Sequence, residues 1–418
     1  CIMDKIIIQG QNSLSGSVNI SGAKNAVLPI MTAALMAEGE SVISRVPDLR
    51  DTRTMIKLME IVGAKCSMEG NRLKIDADSV YNPEAPYDLV KTMRASFYVL
   101  GPLLARFGTV KVSLPGGCAW GPRPVDFHLK GLEKLGAKVT LRSGYILAEA
   151  KKLKGANINF EFPSVGATGN IVMAAATADG ITTIENAARE PEIVQLCDYL
   201  NKMGASISGI GTSKIVVEGV ESLYPANIDV IPDRIEAGTF LMAGALMGKI
   251  TLNEVNPEHL DAVLQKLKEV GALVETTSNS VTIEPGDLRP VDMKTAVYPG
   301  FATDLQAQWV ALMSLADGSS MVTDTVYHDR FSHVPELNRF GANIKVDKNT
   351  AFIRGVKELV GAPVMSTDIR ASAALIIAAL AANGQTEVSR VYHIDRGYER
   401  IEEKFRKLGA EISRANFQ

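Results

Sequence analysis

Residues 200–209 read LNKMGASISG: a helical pattern stops at Gly204 and an alternating, β-like pattern starts at once. Glycine takes the left-handed position after a helix without strain, so a Gly-Ala step closes a helix and turns the chain into a strand. The same step recurs in LMEIVGAKCSM (58–68), LEKLGAKVTL (132–141), LKEVGALVET (267–276), LNRFGANIKV (337–346) and FRKLGAEISR (405–414). Its glycines, Gly63, Gly136, Gly204, Gly271, Gly341 and Gly409, stand 73, 68, 67, 70 and 68 residues apart. A near-constant period means six copies of one supersecondary unit, and function is expected where the copies differ.

The third copy, 164–219, shows the plan. SVGATGNIVMAAATAD is apolar at helical spacing, ITTIENA is a short strand, and REPEIVQLCDYLNKM is a second, amphipathic helix. After Gly204, ASISGIG and KIVVEGV form a hairpin. Each repeat therefore reads helix, strand, helix, strand, strand. First helices begin near Lys24, Arg94, Gly166, Arg234, Asp304 and Arg370, and second helices near Asp51, Val125, Glu190, Pro257, Phe331 and Gly397. Two domains of three repeats follow, helices inside and sheets outside: 23–231, and 1–22 joined to 232–418. The N-terminal stretch 5–16 reads as one strand that completes a sheet of the C-terminal half.

The bulk numbers exclude several classes. A net charge of −3 over 418 residues gives no general attraction to nucleic acid or anionic lipid. The longest apolar runs, 27–37 and 371–382, fall short of the ~20 residues a membrane span needs. The opening CIMDKIIIQG lacks the basic start and apolar core of a signal peptide, so a cytoplasmic protein is expected. Neither the four cysteines nor the five histidines have metal-ligand spacing, and no metal is expected. Cys66 and Cys197 read as packed, structural thiols.

The starts of the first helices carry Ser21-Gly22-Ala23-Lys24-Asn25, Arg94, Ser164-Val165-Gly166, Asp233-Arg234, Thr303-Asp304 and Thr367-Asp368-Ile369-Arg370. Ser21, Ser164, Thr303 and Thr367 suit N-caps. The cations do not, because a helix N-terminus is already positive; Lys24, Arg94 and Arg370 there point to an anionic ligand. A second ring of loops adds Arg50, Cys118, Arg123, Arg189, Arg330 and Arg396. The loop LPGGCAWGPRPVDF (114–127) departs from all other copies, with glycines and prolines around Cys118. A thiol exposed there beside Arg123 is expected to be reactive. Asp304, with no arginine next to it in sequence, could accept a proton from a substrate hydroxyl.

SGAKNAVLPI (21–30), PYDLVKTMRAS (86–96), PGGC (115–118) with RPVD (123–126), NAAREPEIV (186–194), PDRIEAGTF (232–240), TDLQAQ (303–308), HVPEL (333–337), TDIRAS (367–372) and YHIDRGYERIE (392–402) together resemble the enolpyruvyl transferase family, in its members that act on UDP-N-acetylglucosamine. The resemblance covers nearly the whole chain. It implies an α/β (α+β) fold, a two-domain inside-out α/β barrel of six repeats, and no cofactor. It implies transfer of the enolpyruvyl group of phosphoenolpyruvate to the sugar 3′-hydroxyl with release of phosphate, the first committed step of peptidoglycan synthesis. Lys24, Arg123 and Arg396 match the phosphate clamp, Arg330 and Arg370 the partners of the phosphoenolpyruvate carboxylate, and Asn25 a residue beside both substrates. Arg94, Arg123, Pro124, Val125, Asp126, Phe127, Ser164, Val165, Gly166, Asp304 and Val326 match positions that hold the sugar nucleotide. Cys118 matches the cysteine attacked by fosfomycin; it is the expected proton donor to C3 and the site of a phosphothioketal adduct, with Asp304 the expected base. The shikimate-pathway enolpyruvyl transferase shares architecture and chemistry but lacks the Pro-Gly-Gly-Cys loop. All of this requires the cations to converge on one crevice between two lobes.

Overall fold

Helices buried on every side organise the structure. A computed structural model describes residues 3–114 and 125–417. Within Ile369–Ala381 every residue from Arg370 onward is buried, and within Gln306–Met313 all are. A helix apolar all round belongs in a core rather than at a surface. These two helices pack on one another and on Arg234–Met247. In the other lobe Leu100–Phe107 packs on Val165–Ala175, and Lys24–Ala34 is likewise buried apart from Asn25. The second helix of each repeat is amphipathic: in Pro191–Lys202 the buried side includes Ile193, Leu196, Cys197 and Leu200.

The chain divides into two lobes, Gly22–Ile231 and the segment up to Ser21 joined to that from Pro232 onward. Among the described residues there are six four-stranded sheets, one per repeat. In the third, Asn157–Asn159 runs parallel to Ile181–Glu185, which pairs antiparallel with Lys214–Glu218, itself paired with Ser206–Ser208. Alternate residues such as Ile184, Ile215 and Val217 are fully buried while their neighbours face outward, as expected of sheets covered on one face. The six Gly-Ala glycines all adopt left-handed backbone, with φ between 92° and 108°.

Three details correct the sequence reading. The stretch 5–16 is not one strand: Met3–Gln9 and Gly16–Asn19 lie in different sheets of one lobe. In the sixth sheet Met3–Gln9 lies between Gln385–Ser389 and Glu411–Phe417, antiparallel to both. Gly16–Asn19 then runs beside Ile250–Asn253 as the edge of the fourth sheet. The break occurs where Gln11 turns to φ 68° and Gly10 passes against the Leu380–Ala382 backbone. Second, the helix expected from Arg94 begins as a 3-10 turn, Arg94–Val99, and becomes α-helical only at Leu100. Third, the last amphipathic helix starts at Ile401 rather than near Gly397, because Gly397 follows a 3-10 segment, Val391–Arg396, that ends there.

A Cβ at Gly10 would lie 1.8 Å from the Ala382 carbonyl oxygen, backbone against backbone. Gly10→Ala should therefore cost about 1–3 kcal/mol, the range of overpacked cores, and lower the denaturation midpoint. An unchanged midpoint would show that the strand can part from the sixth sheet freely.

Candidate active site

In the lobe that includes Pro232 onward, the short 3-10 turn Thr303–Leu305 feeds the buried helix Gln306–Met313 and sets Asp304 at its start. Two arginines reach it, Arg330 from the loop before the second helix of the same repeat and Arg370 from the start of the next repeat. Arg330 Nη1 donates to Asp304 Oδ1 at 2.8 Å, and Arg370 Nη2 donates to Oδ2 at 3.2 Å. The arginine side chains are only 9% and 5% exposed, against 26% for Asp304. Burial works against both guanidinium charges, but Asp304, joined by Asp368 at Arg330 and by Tyr398 and Asp233 at Arg370, outweighs it and holds both above their ordinary pKa. Such a cluster is a preformed pair of forks for planar anions.

Buried polar groups hold the forks in place. Asp324 is fully buried and accepts from Thr295 and Thr303 hydroxyls at 2.8 and 2.7 Å. It also accepts from the backbone N–H of Val326 and Tyr327, folding the turn that carries Val326. Gln306 Nε2 donates to the Arg330 carbonyl at 2.7 Å, fixing the arginine's backbone. The Arg370 guanidinium lies 5.4 Å from the Tyr398 ring, whose hydroxyl is bound by Thr239 and Gln308. Gln308 also donates to the Asp304 carbonyl, linking the carboxylate's turn to the ring beneath Arg370.

In the lobe Gly22–Ile231, Lys24 is 8% exposed and its ammonium lies 2.9 Å from Asp51 Oδ2. Asp51 sits in the first turn of Arg50–Ile61, where the helix dipole favours a carboxylate. Burial, helped by the charge of Arg94, pushes the His128 imidazole down to about 3. Asn170 lies 2.9 Å from His128 Nδ1, and its carbonyl accepts from the Gly101 N–H at 2.8 Å. A Cβ on Gly166 would come 3.1 Å from the His128 ring, closer than most such contacts. Phe127 meets Phe160 edge to face at 6.3 Å, and Asp126 opens the helix Asp126–Lys134.

Of the expected N-caps, only Ser164 serves, accepting from the Ala167 N–H at 3.2 Å. Asp233 and Asp368 cap the fourth and sixth first helices instead. Thr303 and Thr367 bind Asp324 and Ser332, and Ser21 accepts from Lys404 at 2.7 Å. Arg396 ends the Val391–Arg396 turn, next to Asp395, which Arg414 grips with two bonds of 2.7 and 2.9 Å. Cys118, Arg123 and Pro124, with Trp120, lie outside the described residues. Burial pushes the Cys66 and Cys197 thiols up to about 12, consistent with packing rather than reactivity. The sequence reading missed Asp324, Gln306, Gln308, Tyr398, Asn170 and the pairing role of Asp51. A signal was available: Gln306, Gln308, Asn170 and Thr239 interrupt otherwise apolar helices, and buried polar groups require partners.

His333, 1% exposed, follows the loop that carries Arg330, and burial lowers its pKa to about 4. A lowered imidazole pKa stabilises the fold fully above ~6.5, the unfolded value, and that contribution is lost as pH falls toward the folded value. At about 1.4 kcal/mol per pH unit, acidification from pH 6.5 to 4 should remove up to about 3 kcal/mol. Thermal melts of His333→Gln should fall less steeply over this range than those of the unsubstituted protein; parallel slopes would exclude His333 as the cause.

A family model described as EPSP synthase (3-phosphoshikimate 1-carboxyvinyltransferase) matches residues 8–405. The chain is 57% identical over 420 residues to the UDP-N-acetylglucosamine 1-carboxyvinyltransferase of Chloroherpeton thalassium, covering 99% of this chain and 98% of that protein. It is 55% identical to the protein of the same name from Trichlorobacter lovleyi, over 99% of this chain and 100% of that one. The crystal structure of the enolpyruvyl transferase NikO from Streptomyces tendae matches with a TM-score of 0.90 at 27% identity, covering 100% of both chains. The EPSP synthase of Acinetobacter baumannii shares the fold at a TM-score of 0.76 and 17% identity. With its six-sheet, two-lobe architecture and full-length relatives above half identity, the chain belongs to the EPSP synthase family of carboxyvinyltransferases, in its UDP-N-acetylglucosamine branch.

Proposed function

We propose that this enzyme transfers the enolpyruvyl group of phosphoenolpyruvate to the 3′-hydroxyl of UDP-N-acetylglucosamine, releasing phosphate, and that it opens peptidoglycan synthesis in the cytoplasm. The observation that carries the reading is Asp304 beside the two buried forks of Arg330 and Arg370. Such forks suit the phosphoenolpyruvate carboxylate, and Asp304 suits a base for a sugar hydroxyl. In this reading Lys24, Arg123 and Arg396 are the phosphate ligands, and Asn25 lies beside both substrates. Asn25, Arg94, Arg123–Phe127, Ser164–Gly166, Asp304 and Val326 hold the sugar nucleotide.

In the addition step the 3′-oxygen bonds to C2 and its proton passes to Asp304, while the C2–C3 π electrons take a proton from the Cys118 thiol. In the elimination step the C3 proton returns to the thiolate, the double bond re-forms, the C2–O bond to phosphate breaks, and the departing phosphate takes up the proton held by Asp304. Charge developing at C2 is best met by groups already oriented, each worth roughly 10²–10³ in rate. Cys118 is also the atom that a phosphothioketal, or an epoxide such as fosfomycin, would occupy.

The test measures phosphate release from phosphoenolpyruvate with UDP-N-acetylglucosamine or shikimate 3-phosphate as acceptor. Release with the sugar nucleotide alone is expected. Release only with shikimate 3-phosphate, or with neither, would overturn the assignment.

A further inference from the structure

We infer that Arg330 and Arg370 form one carboxylate site for which Asp304 and the carboxylate of phosphoenolpyruvate compete, so that arrival of this substrate releases the base. The inference rests on the functional reading above and adds an order of events to it. Both Asp304 oxygens are engaged, one by each arginine. The arginines are the anchored partners. Gln306 holds the Arg330 carbonyl, Thr303 Oγ1 accepts from its Nη1 at 3.2 Å, and the Arg370 N–H is tied to Asp368 at 2.9 Å. Tyr398 underlies the Arg370 guanidinium, and both arginines are nearly buried. Asp304, on a three-residue turn, is the most exposed of the three. In an exchange, then, the forks stay and the carboxylate moves.

A carboxylate gripped by two guanidinium groups is a poor proton acceptor, because two opposite charges favour its ionised form. Asp304 cannot hold both arginines and serve as an effective base. A substrate carboxylate presents the same two oxygens to the same donors and offsets the loss of the Asp304 pairs. This makes the substrate carboxylate a specificity element for turnover as well as for affinity: a phosphoenol lacking it would leave Asp304 engaged.

The test uses the full chain in a Cys118→Ser background, which removes thiol adducts, with Asp304 either kept or changed to Asn. Phosphoenolpyruvate and inorganic phosphate are titrated calorimetrically into each. Competition predicts that Asp304→Asn binds phosphoenolpyruvate about tenfold tighter, equivalent to ~1.4 kcal/mol, with a clearly smaller gain for phosphate. Unchanged or weaker phosphoenolpyruvate binding would overturn the inference, as would equal gains for both ligands, which net charge alone would produce. Asp304→Ser should reproduce the pattern and guards against a fold defect peculiar to one variant. Failure of the functional reading is seen separately, as no sugar-dependent phosphate release by the unsubstituted enzyme.

Discussion

Arg370→Lys should lower kcat/KM for phosphoenolpyruvate by about 10²–10³-fold while KM for UDP-N-acetylglucosamine changes little. Lysine keeps the charge beside Asp304 and so limits the loss of stability. It cannot reproduce the planar fork that reaches Asp304 Oδ2 at 3.2 Å while lying over the Tyr398 ring. Arg370→Ala should behave differently, since it removes a buried partner outright; breaking such a pair typically costs about 3–5 kcal/mol. Comparing steady-state phosphate release with thermal melting separates the two effects. If the lysine variant retained full activity, bidentate carboxylate recognition at Arg370 would be wrong.

Lys24→Ala should be the second severe change, and a double substitution should divide its causes. The Lys24–Asp51 pair is 2.9 Å long and nearly buried, so loss of the ammonium takes a buried opposite charge from a carboxylate that is 2% exposed. The expected stability loss is about 3–5 kcal/mol, read as a shift in the denaturation midpoint. Replacing both residues with apolar ones, Lys24→Met with Asp51→Leu, should recover most of it, because well-packed apolar side chains replace buried ion pairs at little cost. Activity should stay low in the double variant, by roughly 10²-fold or more, if Lys24 also holds the substrate phosphate. Recovery of turnover together with stability would reduce Lys24 to a structural residue.

The repeat architecture was legible because it rests on local rules. A left-handed glycine after each amphipathic helix, followed by period-two patterning, is a short-range signal that six copies reinforce. The capping residues were harder. Serine and threonine fit the statistics of N-caps, yet Asp233 and Asp368 win two of the positions, while Ser21 and Thr303 turn to Lys404 and Asp324. Charge complementarity from distant segments overrode local preference there. The division of 5–16 into two strands was likewise invisible, because the partners that pull it into two sheets, Gln385–Ser389 with Glu411–Phe417 and Ile250–Asn253, are far away in sequence.

By itself the sequence determined the periodic fold, the classes of side chain available for anion chemistry, and which arginines, lysine and carboxylate to examine. All of these follow from composition and spacing along the backbone. Only the tertiary structure decided who partners whom: that Asp304, with no arginine beside it in sequence, lies between Arg330 and Arg370, and that Lys24 meets Asp51. Such pairings join residues 26, 66 and 27 positions apart, the differences 330 − 304, 370 − 304 and 51 − 24. The Asp304–Arg370 pair depends on how two repeats pack around their buried helices, the other two on how the two helix starts of one repeat are brought together, and nothing local in the chain records either.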